Sequence, residues 1–244
     1  MEDFSMKKIF SILLFTFVAV ILPQPAAHSN DLPPAATENI AVPDAEMVGG
    51  TTEVLFSSAQ RASRNSAVKI EGLNGGHGSG TYIEMDNHYL IITARHVVDR
   101  SEIYYVSTSV ERVLGQVIWK SQTKDMAVLR IPRLDSRRAV SLHRTGNLGI
   151  GDEVTYTGYP ASYELLTSRA HVSGHTSAHR ATLMQGFVWF GYSGSGGFDS
   201  SGRLRSIIYA IAAEGYMGLP QLLETLVYSH EISRSDIAEI REVL

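Results

Sequence analysis

Two serines stand among four glycines in Gly191-Tyr192-Ser193-Gly194-Ser195-Gly196-Gly197-Phe198. Glycines this dense let backbone N–H groups converge on one point, because no Cβ blocks unusual dihedrals or close approach. A serine held there can attack a carbonyl while the loop amides receive the oxyanion. By itself the stretch reads equally well as a flexible turn between strands. Two earlier segments shift that balance. His96 lies in Leu90-Ile91-Ile92-Thr93-Ala94-Arg95-His96-Val97-Val98, and an imidazole suits the taking and returning of a proton near neutral pH. Asp125 lies in Lys124-Asp125-Met126-Ala127-Val128-Leu129. A carboxylate on the far ring nitrogen fixes the tautomer and stabilises the imidazolium. Ser193 as nucleophile, His96 as base and Asp125 as orienting group would make a set for nucleophilic acyl transfer, with Ser195 the competing nucleophile.

The elements that must position these groups are short strands. Ala67–Ile70, Thr81–Ile83, Tyr89–Ile92, Ile103–Val106, Gln116–Trp119 and Ala127–Ile131 are β-branched or aromatic-rich runs. Glu153–Thr157, Phe187–Phe190 and Ser206–Ala210 continue the pattern. Turn residues separate most of them, and no helices alternate with them, so the chain reads as all-β, a sandwich or barrel. Pro220–Val227 and Ser235–Leu244 have apolar spacing near the helical period, with Pro220 suited to a first turn and Ser235 to a cap. They predict a C-terminal helical tail.

The chain has 244 residues, 44% hydrophobic and 19% charged, an ordinary globular balance. A formal net charge of −4 gives no basic footprint for nucleic acid. The absence of cysteine excludes disulfides and thiolate chemistry. Lys7 and Lys8, the apolar run Ile9–Leu22 and the small residues around Ala27-His28-Ser29 read as a secretory signal over residues 1–29. The alternative is an uncleaved membrane anchor, for which the apolar run is short. The expected place is secreted or periplasmic, with no stable membrane association after cleavage. Residues 30–60, holding Pro33, Pro34 and Pro43 among alanines and acids, read as a linker.

The order of segments resembles the trypsin-like, chymotrypsin-fold serine peptidases. Gly78-Ser79-Gly80 and Thr93-Ala94-Arg95-His96-Val97-Val98 are similar to the family's histidine region, and Asp125–Leu129 to its aspartate strand. Gly151–Val154 leading to Thr157-Gly158-Tyr159-Pro160 is similar to the start of its second barrel. Gly191–Phe198, followed by Asp199 and Gly202, is similar to its serine loop and next hairpin. The cysteine-free Deg/HtrA and glutamyl-endopeptidase branches are nearest. The resemblance implies two six-stranded antiparallel β-barrels, about 61–140 and 141–220, before the tail over 220–244. It implies Ser193 rather than Ser195 as nucleophile, and an oxyanion hole at the N–H groups of Gly191 and Ser193. It implies a pocket wall from Phe187, Val188 and Trp189, with Tyr209 to Ala212, which would suit an apolar or small side chain. The implied activity is that of a secreted or periplasmic serine endopeptidase, acting on polypeptides through a triad and an acyl-enzyme, with no cofactor and no metal. The competing class is a catalytically inactive binding or regulatory module on the same fold.

Two residues depart from the family pattern. Arg95 precedes the histidine where a small residue or Asn is usual, and Tyr192 precedes the serine where Asp or Asn is usual. His171, His175 and His179 recur every fourth residue, which on a helix would make a metal face. The surrounding Val172-Ser173-Gly174 and the resemblance favour strand and loop instead. Asp99 is a second acid near His96 and reads as a solvated turn residue.

Overall fold

A computed structural model describes residues 56–244, apart from 74, 143–146, 162, 178 and 217–218. The signal-peptide reading and most of the linker lie outside the described residues. Within the expected linker a helix already begins. Helix α1 (Ser58–Ser66) starts at Ser57, whose hydroxyl caps Gln60 N while the Gln60 side chain returns to Ser57 N. Its buried residues are Ala59, Ser63 and Ser66. Small side chains let the helix lie close against the protein body, and Ser63 Oγ donates to Thr157 Oγ1 at 2.7 Å.

The first barrel comprises β1 (Ala67–Glu71), β2 (His77–Met85), β3 (His88–Thr93), β4 (Ile103–Ser107), β5 (Arg112–Lys120) and β6 (Ala127–Arg130). Their order is β1-β4-β5-β6-β3-β2, and β2 pairs back onto β1 to close the ring. A short strand β7 (Val140–Ser141) adds to β2 in parallel. The β2–β3 turn places Asp86 and Asn87 at φ 48° and 63°, the left-handed pair that a two-residue hairpin demands. Alternation sorts the side chains. Tyr82, Ile91 and Leu129 join a cluster with Val68, Ile70 and Val106. Their neighbours Ile83, Leu90, Ile92 and Val128 join Phe198, Leu204 and Ile207 from the second half of the chain. Residues 90–93 of β3 are thus buried on both sides, one side belonging to its own barrel and the other to the contact between halves.

The second barrel comprises β8 (Glu153–Gly158), β9 (Leu166–Thr176), β10 (Ala181–Gly186), β11 (Gly196–Phe198), β12 (Leu204–Tyr216) and β13 (Leu219–Glu231). It closes in the order β10-β13-β12-β11-β8-β9. The two six-stranded antiparallel barrels are as the resemblance implied. The tail differs in part. Residues 220–227, expected as helix, form the first half of β13, pairing with β12 and β10. Barrel closure needs a sixth strand, and its backbone bonds outweigh a helix-like apolar spacing. Only α2 (Arg234–Glu242) is helical, capped by Ser233 rather than Ser235. Its Ile237 and Ile240 enter the cluster between the barrels.

Candidate active site

Antiparallel pairing of β3 with β6 sets Thr93 opposite Ala127. The residues just after β3 and just before β6 must therefore meet, although 29 positions separate His96 from Asp125 in the chain. His96 sits in a short 3-10 turn, Arg95–Val98. Asp125 holds it twice: Oδ1 accepts the His96 backbone N–H at 2.9 Å and Oδ2 lies 2.7 Å from Nδ1. A carboxylate only accepts, so Nδ1 carries the proton. That leaves Nε2 of the neutral ring as a proton acceptor.

Burial alone would raise the carboxyl pKa of Asp125. The hydrogen bonds from the His96 ring and backbone, with the charge of that ring, outweigh it and hold the group below its ordinary 3.8. A depressed folded-state pKa contributes stability in full above the ordinary carboxylate range, and that contribution is lost as pH falls through the folded value. The stability advantage of the native chain over Asp125→Asn, read as a difference in urea midpoint, should therefore shrink as pH is lowered below 3.8. Asp99, the other acid nearby, faces Arg95 at 3.3 Å and Lys120 at 3.8 Å, not His96.

The serine loop lies between β10 and β11. Gly191 and Gly194 have φ of 101° and 92°, which L side chains rarely adopt. Ser193 keeps part of its surface, whereas Ser195 is 0% exposed and its Oγ has no partner among the described residues. The N–H groups of Gly191 and Ser193 donate to no described residue. The loop sits beside the histidine turn: a Cβ on Gly78 would stand 2.7 Å from Val97 Cγ2 and 3.0 Å from the Ser193 carbonyl oxygen.

Ser79, between two glycines of β2, fastens that arrangement. Its N–H donates to Ser193 O at 2.8 Å, and its hydroxyl donates to Gly191 O at 2.6 Å while accepting from Tyr159 N at 2.9 Å. Its carbonyl accepts from Thr93 Oγ1 at 2.7 Å. The sequence reading named the Gly-Ser-Gly segment without giving Ser79 this task. A serine flanked by glycines within a strand was the available signal.

The fold agrees with what the sequence matches. Residues 78–207, just over half of the chain, match the family model for the trypsin-like peptidase domain. The chain belongs to the trypsin-like peptidase family. No curated protein matches it. Among solved structures it is similar to an inactive-form serine-to-alanine mutant of Rv3671c from M. tuberculosis H37Rv. The TM-score is 0.58 at 17% identity, over 79% of this chain and 93% of that one. It is also similar to a serine endoprotease from Yersinia pestis, with a TM-score of 0.57 at 20% identity over 76% of this chain and 64% of that one.

In this peptidase domain the two departures from the family pattern have structural accounts. Tyr192 turns into the second barrel, where its ring meets Tyr156 edge-on at 5.5 Å and its hydroxyl pairs with Ser168 Oγ at 2.9 Å. The bulk lies in the core, beneath the loop. Arg95 turns aside to Asp99 and to the Ser121 carbonyl. Of the three residues expected to wall a pocket, Val188 is 1% exposed and belongs to the barrel core. Trp189 packs against that core, and Phe187 is 49% exposed. Val188 is held inside because the Tyr156 hydroxyl donates to the carbonyl of Phe187, fixing the chain at the barrel mouth.

The three histidines of the four-residue repeat do not converge. His171 lies 3.9 Å from Glu153, His175 hydrogen-bonds Thr182, and His179 meets the Tyr228 ring. Strand β9, not a helix, carries the first two. His230 was missed altogether. It is buried, stacks on Tyr209 at 4.0 Å and 3°, and its Nδ1 lies 3.2 Å from the Arg180 carbonyl. Burial lowers its pKa, the charges of Asp125 and Asp236 opposing this.

Gly194 offers a direct check of the loop. A Cβ there would stand 2.0 Å from Ser79 O and 2.1 Å from Thr93 Oγ1, at a φ already unfavourable for alanine. Gly194→Ala should displace the loop and lower stability by about 2–4 kcal/mol. Urea unfolding of the purified variant measures it.

Proposed function

We propose that this chain is an exported serine endopeptidase, with Ser193 as nucleophile, His96 as general base and then acid, and Asp125 as the group that orients the ring. The observation that carries the reading is the double hold of Asp125 on His96, through ring and backbone. It leaves His96 Nε2 as the proton acceptor of the ring, while Gly78 lies against both Val97 of the histidine turn and the Ser193 carbonyl of the serine loop. Ser193 Oγ would attack a peptide carbonyl as its proton passes to His96. The developing oxyanion would be received by the N–H groups of Gly191 and Ser193, which have no acceptor among the described residues. The protonated ring would then give its proton to the leaving amine. Water, deprotonated by the same ring, would release the acyl group. The basic, apolar and small-residue succession at the N-terminus supports export.

A fluorophosphonate probe tests the assignment. It should label the native chain and Ser195→Ala, and not Ser193→Ala. Labelling of Ser193→Ala with loss in Ser195→Ala would move the nucleophile to Ser195. No labelling of the native chain, together with no cleavage of peptides, would favour a binding module on this fold.

A further inference from the structure

We infer that Arg180 selects an acidic side chain in the polypeptide at a position flanking the cut bond; this rests on the peptidase reading above. A cavity of about 470 Å³ adjoins the His96–Asp125 pair. The first barrel's side of the wall includes His96, Asp125 and Lys124, and the second barrel's includes Arg180, Tyr209 and His230. A second cavity of about 550 Å³ shares Lys124 and Arg180 with it and reaches Arg234 at the start of α2. The two form one groove leading away from the site.

Most charges along this groove are already matched. Arg95 faces Asp99, His96 faces Asp125, and Lys124 lies 2.6 Å from Asp236 while also donating to the Glu231 carbonyl. Glu231 accepts from Thr182 Oγ1 and Leu148 N. Among the described residues Arg180 has no carboxylate partner, and it lines both cavities. Its backbone is held in an uncommon conformation, φ 48°, which a non-glycine residue adopts only where its surroundings impose it. The restraints are visible. Arg180 N donates to Ser177 O at 3.3 Å, and its carbonyl meets the buried His230 ring. The stack of His230 on Tyr209 holds that ring in turn. These contacts hold the Arg180 backbone at the edge shared by the two cavities, where, among the described residues, its guanidinium has no carboxylate partner; Arg234, further from His96, has none either. A substrate carboxylate there would gain a charge-assisted bond beside a low-dielectric wall. A neutral amide there could accept one bond from the guanidinium but would gain neither the ion pair nor the bidentate geometry.

The test uses peptides with one cleavable bond, paired so that Glu or Gln occupies each flanking position in turn. They are given to the native chain, Arg180→Asn and Arg180→Lys, with fluorophosphonate labelling of the native chain alongside. Asn tolerates positive φ, so that variant preserves the turn. At one position the Glu peptide should exceed its Gln twin about tenfold in kcat/KM, mainly through KM. Added salt should reduce the preference, Arg180→Asn should abolish it, and Arg180→Lys should retain part of it. Labelling and cleavage with equal rates for every Glu and Gln pair would overturn the inference and leave the peptidase reading standing. A preference that survives Arg180→Asn would overturn the role of Arg180. Absence of both labelling and cleavage in the native chain would overturn both readings.

Discussion

Ser193→Ala is expected to lower kcat by about 10⁶, the loss seen when the nucleophile is removed from a serine-peptidase triad. The variant keeps the loop glycines and the Ser193 backbone, whose carbonyl takes the Ser79 N–H, so folding should be unaffected. Ser195→Ala should behave in the opposite way. The Ser195 hydroxyl is fully buried and has no partner among the described residues. An unsatisfied buried hydroxyl costs about 1–3 kcal/mol, so its removal should leave activity in place and leave stability equal or raised. Progress curves on a fluorogenic peptide, with urea midpoints for both variants, separate the two serines.

Asp125→Asn is the second large effect, about 10⁴ in kcat. The carboxylate accepts two bonds from His96. An asparagine oxygen can keep the backbone N–H, but its NH₂ then faces Nδ1 as a donor. The ring must present Nδ1 as an acceptor and carry its proton on Nε2, where it cannot take one from Ser193. Geometry survives and basicity is lost. KM should change little, because the failure lies in the transition state. A KM rise matching the kcat fall would point instead to a displaced loop.

The sequence was informative where chemistry and turns constrain it tightly. The pairing of His96 with Asp125 was legible from the order of several segments taken together, since the Ser193 stretch alone reads equally well as a turn. The strands were legible from β-branched runs such as Leu90-Ile91-Ile92. The helix at Pro220–Val227 was misread for a physical reason. Register shifts at Ile208/Ala210 and Ile211/Ala212 interrupt the alternation between β12 and β13. Leu226 and Val227 then fall side by side, which imitates a helical stripe. Helix α1 escaped notice because it buries Ala and Ser rather than large apolar groups, although Ser57 and Gln60 carried the capping signature. Arg180 and His230 were invisible, since they lie 50 residues apart and acquire meaning only when the barrel sets them together.

The attachment of Ser79 has a thermodynamic consequence. One residue of β2 holds Gly191, Ser193 and Tyr159 from across the seam, through short bonds inaccessible to water. The halves cannot part without releasing the serine loop, and the loop cannot be released without stranding the polar groups of Ser79 in a dry interior. Parting of the barrels and disassembly of the serine loop are thereby one cooperative unit, so a partly opened molecule would lack the arrangement on which the proposed cleavage of its neighbours depends.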